Sequence, residues 1–536
     1  MEKPFPEGRA WCFLVLLYVG LRVAVLFSSP GFLYAEEEIY NAALALDVLG
    51  PDPVHRLFDY QYQDFDGGTL VMSLLYVPVG LVFGATWFTY KGLAIAVGLV
   101  GLWAWASVLR RTHGLMCALL ACLLLAASTP VFTTYGLLLW GTHTEASVLA
   151  VLCLLLCTHA LEDPVPRSWV LALGALCGFG IYFIYSFVLV LVVVLFLFLL
   201  ARGTRRALPW LLTGALLGFS PWLLRRGLTG DPFVLQIQGG ELGTLLFSRP
   251  LGDWLPSLLT TPFDHPMWSP AFDQPFMSEG ARLTELVAGL LRTLLWLPLL
   301  ALGPLAWRDR RQGSPRWIPE AFVALLALLI VLTYCLSTQQ LPRYLVGLFP
   351  LLCVALPMAL SSIPDRSRKL GVALCVGAAT VGLVDHHKLL RSGALLSPPP
   401  RIELSDWRRL GMSRAGIDMG AWEAAHLPGI LGYLGQPPDR DRDAGFAMAF
   451  HKGGPFETRD RNHYDNERIY TGAYLRERLR DPDRNYREIA RGFGHGMLVR
   501  CHGESDCAQK AFSASDSLAP DFVLGVDAMA RVFEGL

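Results

Sequence analysis

The chain has 536 residues, of which 53% are hydrophobic and 17% charged, with a mean hydropathy of +0.42. Soluble domains carry about 25% charged residues, so these proportions exclude a plain cytosolic enzyme, a disordered protein and a disulfide scaffold, and leave a polytopic α-helical membrane protein. Lys+Arg and Asp+Glu are both 45, so no global field points to nucleic acid.

The charge is unevenly placed. Residues 401–536 hold 40 of the 90 charged side chains, which gives the tail a soluble composition and leaves the first 400 residues poor in charge. From the N-terminus, Lys3 and Arg9 precede an apolar run, Ala10–Phe27, with no clean cleavage site after it, which reads as an uncleaved first span. Ser28–Tyr90 is acidic, with Glu36, Glu37, Glu38 and Asp66 among its eight carboxylates and only Arg56 to offset them. A loop so poor in Lys and Arg is allowed outside.

Arg110-Arg111, Arg167, Arg202 with Arg205-Arg206, Arg308 through Arg316, and Arg366 through Lys369 mark the other side. Between these clusters the apolar blocks pair off, giving eleven expected spans near 10–28, 92–109, 115–130, 144–161, 168–183, 184–201, 207–224, 283–306, 317–336, 344–363 and 369–385. This order puts the N-terminus in the cytoplasm and the tail outside. Thr69–Phe83 is apolar enough to span, but counting it would invert every later loop, so a helix on or dipping into the outer leaflet is expected. Trp169–Leu200 is two span lengths long and is expected to break near Gly178–Tyr185. The domains expected are a transmembrane domain, 1–385, with outer loops 28–90 and 225–282, and an extracytoplasmic domain, 386–536.

Polar groups collect at the outer ends of the spans. Tyr34-Ala35-Glu36-Glu37-Glu38-Ile39-Tyr40 places adjacent carboxylates just past the first span, where one can serve as a general base, though acids at a helix start can also be simply solvated. Gly141-Thr142-His143-Thr144-Glu145 begins a span, where His143 and Glu145 either cap it or line a cavity. Arg225, Arg226 and Arg343 lie at outer edges against the positive-inside trend, as ligands for phosphate or as snorkelling cations. Asp264-His265 and Asp385-His386-His387 are weak metal candidates, and no metal is expected.

In the tail, Tyr486–Arg491 has helical periodicity, whereas Gly492-Phe493-Gly494-His495-Gly496 reads as a turn. Cys501 and Cys507 bracket a polar loop. A small disulfide is expected there if the tail faces an oxidising compartment, with a zinc site using His502 as the weaker alternative.

The order of first span, Glu36-Glu37, Tyr40 three residues on, and a small-residue helix resembles the first outer loop of GT-C glycosyltransferases. It is most similar to the protein mannosyltransferase-like family 39, whose bacterial branch includes aminoarabinose and galacturonosyl transferases. The family's usual Asp-Glu is Glu36-Glu37 here, its frequent Lys-Pro-Pro is Asp66-Gly67-Gly68, and Ile39 stands where the aminoarabinose transferases often carry a basic residue. Leu81 through Gly84, Gly214 through Trp222, and Arg343-Tyr344-Leu345 with Pro350 resemble later elements, so the likeness covers roughly residues 10–385.

The resemblance implies a GT-C-like fold in a bacterial inner membrane, where the outside tail expected from the arginine pattern would be periplasmic. It implies a polyprenyl-phosphate sugar donor, a glycan, lipid or protein acceptor, and neither nucleotide sugar nor obligatory metal or other cofactor. On it, Glu37 is the expected base, with Glu36 or Asp66 assisting. Arg343 is expected on the donor phosphate, with Tyr40, His143, Glu145, Arg225 and Tyr344 lining the substrate site. The alternatives are a transporter or flippase of lipid-linked material and a non-catalytic envelope assembly protein. A transporter should carry polar groups at interrupted midplane helices, whereas these clusters sit at span ends.

Overall fold

The computed structural model describes residues 7–28, 67–84, 86–161, 165–201, 203–229, 285–336, 345–363, 365–391, 485–500, 505–510 and 512–534, with isolated positions at 45, 441, 445, 470, 473, 475 and 476. The chain divides into two compact units: Met1–Leu33 with Gln63–Met72 and Lys91–Leu396, and Tyr34–Tyr62 with Ser73–Tyr90 and Ser397–Leu536.

The helices are α1 (Glu7–Ser28), α2 (Gly67–Phe83), α3 (Trp87–His113), α4 (Leu115–Ala126), α5 (Pro130–Tyr135), α6 (His143–Ala160), α7 (Arg167–Phe183), α8 (Val188–Leu200), α9 (Leu208–Thr229), α10 (Glu285–Arg311), α11 (Trp317–Leu336), α12 (Leu348–Ser361) and α13 (Asp365–Arg391). The helical blocks follow the hydropathy pattern, because backbone groups in hydrocarbon must be satisfied within each segment. Among the described residues, six helical stretches are long and apolar enough to cross a membrane: Gly8–Phe27, Phe88–His113, His143–Ala160, Thr204–Leu228, Trp317–Cys335 and Lys369–His387. Shorter apolar helices include Gly67–Phe83, Leu115–Ala126, Arg167–Phe183, Tyr185–Leu200 and Leu348–Ser361. Phe13, Leu16, Trp103, Leu216 and Leu300 are exposed apolar side chains, as lipid-facing surface requires. Leu348 through Leu360 of α12 are all buried, so that helix runs through the middle of the first unit.

The long apolar block breaks where expected. α7 stops at Phe183, Ile184 is extended, and a 3-10 turn at Tyr185–Phe187 leads into α8. α7 and α9 then pack at backbone distance. Side chains added at Gly174 or Gly178 would strike the carbonyls of Leu211 or Ala215, and at Gly214 or Gly218 those of Leu171 or Ala175. Small residues at four-residue spacing on both helices let dispersion replace the hydrophobic drive that lipid cannot supply.

In the second unit, the hairpin across Gly84 (φ 84°) is tied by Tyr76, whose hydroxyl meets Thr89 Oγ1 at 2.8 Å and Thr86 O at 3.1 Å. The Tyr76 and Tyr90 rings pack edge to face at 4.9 Å. Also in that unit, α14 (Tyr486–Arg500), α15 (Ser505–Lys510) and α16 (Ala519–Glu534) enclose a core of Ile489, Phe493, Phe512, Phe522 and Val526. Arg491 joins Glu488 and, at 3.0 Å, Asp521 across the helix pair. The glycine run 492–496 lies inside α14, which corrects the expected turn. The reason is packing: a side chain at Gly494 would overlap Phe522 O, and one at Gly525 would overlap Arg491 O. Close approach outweighs a helix-propensity cost of about 1 kcal/mol per glycine.

Candidate functional site

Residues 136–142 of the first unit form irregular backbone that is buried throughout, between α5 and α6. Irregular backbone inside a membrane domain is tolerated where protein covers it or where it lines a cavity. Thr129 and Pro130 start α5, the threonine oxygen accepting from Phe132 N at 3.4 Å. The chain then turns at Gly136, and its amides go to carbonyls of the preceding turn: Gly136 N to Phe132 O, Leu137 N to Thr134 O and Leu138 N to Tyr135 O.

Two parts of the unit reach this segment, and a third packs beside them. Lys91, fully buried near the start of α3, donates from Nζ to Leu137 O at 3.0 Å. Gly68 abuts Gly141, which sits at φ 73° with no room for a side chain: a Cβ there would lie 2.7 Å from Gly68 O. A Cβ on Gly67 would enter the Tyr182 ring. The contacts at Gly67 and Gly68 therefore leave no space for a side chain at either position.

Glu145, 4% exposed, accepts from the Thr142 backbone N–H at 3.3 Å and so closes the first turn of α6. His143 is half-buried and packs edge-on against Trp140 at 5.9 Å, and Trp140 packs against Tyr135 at 4.8 Å. Of the expected substrate residues, His143 and Glu145 thus share the irregular segment. Arg225 is half-buried near the end of α9, beside the buried Arg226, whose guanidinium lies 5.3 Å from the Trp222 ring. Glu36, Glu37, Tyr40, Asp66, Arg343, Tyr344 and Cys501 lie outside the described residues. So do Asp264, His265 and the side chain of Cys507, which stands in α15.

Alongside the segment lies His386, buried on α13. Its Nδ1 donates to Gly382 O at 2.7 Å, because a carbonyl can only accept, so in the neutral ring Nε2 accepts from Thr133 Oγ1 at 3.0 Å. Ser128 Oγ stands 3.2 Å from Thr133 Oγ1 and extends the chain of bonds. Among the described residues, no three His, Cys, Asp or Glu side chains group as metal ligands.

Sequence reasoning missed three features here. The segment 136–142 is apolar enough to pass for span residues, Lys91 stands alone, and Arg22 resembles an ordinary cation near a span end. A cation four or more residues inside an apolar run was the available signal.

Residues 70–224, which include this segment, match the family model described as dolichyl-phosphate-mannose-protein mannosyltransferase. Over that stretch the chain is similar to this family, and the match covers less than a third of its length. No curated protein matches it in sequence. Several solved structures are similar, among them the following two. One is ArnT from Cupriavidus metallidurans bound to undecaprenyl phosphate, at 14% identity and a TM-score of 0.45, covering 99% of this chain and 76% of that one. The other is the Archaeoglobus fulgidus oligosaccharyltransferase in the apo form, at 14% identity and 0.44, covering 73% and 56%.

Proposed function

We propose that this chain is a membrane glycosyltransferase that moves a sugar from a polyprenyl-phosphate-linked donor to a lipid, glycan or protein acceptor at the outer face of a membrane. The observation that carries the reading is the family match over 70–224, which coincides with the buried irregular segment and the polar groups converging on it. Eleven crossings, a cytoplasmic N-terminus, and a division at residue 385 into a transmembrane and an extracytoplasmic domain belong to this proposal.

In the reaction, Glu37 takes the proton of the acceptor nucleophile, with Glu36 or Asp66 holding the acceptor. The acceptor atom attacks the anomeric carbon, the bond from that carbon to the phosphate oxygen breaks, and the electron pair leaves on the polyprenyl phosphate. Arg343 neutralises that charge through a bidentate contact. Tyr40, Tyr344, His143 and Arg225 line the sugar and headgroup, while Glu145 holds the segment's shape.

The test is release of sugar from polyprenyl-phosphate donors by purified protein. Glu37→Gln is expected to lower turnover by about 10²–10⁴-fold with helix content unchanged. Equal turnover in both proteins would remove Glu37 from the mechanism, and no turnover by wild type with any such donor would remove the glycosyltransferase.

A further inference from the structure

Arg22 lies in the C-terminal half of α1 and is 1% exposed. Its Nη1 donates to Tyr18 O at 3.2 Å, and the guanidinium carbon sits 3.4 Å from the centroid of the Tyr18 ring. Both partners are one turn back on the same helix. Nε has no hydrogen-bond partner, and among the described residues no carboxylate pairs with the guanidinium. A buried ionised group without a counter-charge is costly, and inside a membrane domain such a cation marks a ligand site unless something pairs it.

Arg22 also lines a cavity of about 50 Å³, bounded by Gly98 and Leu102 of α3, Gly136, Ser147 and Val148 of α6, and Pro350. That volume holds more than one water. The walls are mixed. Thr144 and Ser147 add polar side chains to the lining, and Leu102, Trp105, Leu125 and Val151 make the rest apolar. A guanidinium with open N–H donors matches the oxygens of a phosphate, and apolar walls match the carbons attached to it.

We propose that Arg22 and this cavity bind a phosphate-bearing lipid, with the guanidinium on the phosphate and the apolar walls on the first carbons of the chain. The site follows from the geometry; it rests on the proposed function only for the natural lipid being a polyprenyl phosphate. It is separate from the role given to Arg343, which serves the leaving phosphate during transfer.

The test is ligand-induced thermal stabilisation of the full-length protein in detergent, with farnesyl phosphate, farnesol and inorganic phosphate as probes. Wild type is expected to be stabilised by farnesyl phosphate and not by farnesol. Arg22→Met is expected to melt no lower than wild type, since an unpaired charge is replaced by an apolar chain, and to bind farnesyl phosphate at least tenfold more weakly. Arg22→Lys should retain an intermediate response. Ser147→Leu, which fills the cavity and keeps the guanidinium, should also weaken binding, and it carries the test if Arg22→Met fails to fold. Equal binding of farnesyl phosphate by wild type and either variant would overturn the site. Stabilisation by inorganic phosphate as strong as by farnesyl phosphate would assign the pocket to the free anion and overturn the lipid. Arg22-dependent binding without turnover of any polyprenyl-phosphate sugar would leave this site standing and remove the glycosyltransferase instead.

Discussion

The two ends of the first unit treat buried charge in opposite ways. At the basic end, Arg308 pairs with Asp309 at 2.7 Å, Arg316 Nε donates to Thr112 O at 3.3 Å, Arg310 Nε donates to Leu200 O at 3.1 Å, and His113 meets Glu320 at 3.4 Å. These bonds join the end of α3 to the start of α11 and the end of α8 to the end of α10, four places that the Arg pattern assigns to one side. At the other end, among the described residues, Arg22 bonds only within its own helix, and Lys91 reaches the Leu137 carbonyl. Lys91 and His113 stand about 33 Å apart along one helix at 1.5 Å per residue. Charge that the chain satisfies itself, Lys91 included, is architecture, and Arg22, without a counter-charge among the described residues, is where a phosphate fits. Changes at the basic end should therefore alter stability alone, and the far end should also respond to ligand.

The sharpest stability test of the far end is Gly141→Val. Its φ of 73° suits glycine, and a side chain there would press into Gly68 O. The expected loss is about 3 kcal/mol from overpacking and strain, read as a fall in melting temperature and in the yield of folded protein. A Gly141→Val protein that folds and melts like wild type would show that the start of α2 does not dock on the segment in this way.

At the basic end, Glu320→Leu leaves His113 Nε2 without its partner and is expected to cost about 1–3 kcal/mol. Adding His113→Leu should recover most of that, because two apolar groups can replace a buried polar pair at little cost. Affinity for farnesyl phosphate should stay at the wild-type value in both proteins. A change in that affinity would mean that the two ends are coupled, and the contrast between them would fall.

The contrast also marks what the sequence makes readable. Hydropathy and arginine placement locate the helices because lipid enforces both rules over long stretches. The break at Ile184 is readable from the excess length of one apolar block. Gly494 of α14 is not, because local propensity argues for a turn, and only the carbonyl of Phe522 across the helix pair explains it. Asp66-Gly67-Gly68 reads as a lost motif until Tyr182 and Gly141 show why two glycines stand there. Glu145 looks like a cavity residue from its span-end position, and its bond to Thr142 N gives it a structural task. Arg22 is hidden for a related reason: one cation near a span end looks the same whether it reaches water or is enclosed, and only burial distinguishes the two.

The smallest effect belongs to the bond chain beside the segment. Thr133→Val removes the hydroxyl that stands between Ser128 and His386 and keeps the shape of the side chain. The Nδ1 bond to Gly382 O remains, so the ring keeps its tautomer and place, and the loss should be about 1 kcal/mol. His386→Leu should cost more, since it also leaves Gly382 O and the Thr133 hydroxyl without their buried partner. If both changes cost the same, the Thr133 bond contributes nothing by itself. If Thr133→Val lowers farnesyl phosphate affinity with melting unchanged, this chain of hydroxyls belongs to the ligand-responsive part of the far end, and the boundary between architecture and site moves from Arg22 to include it.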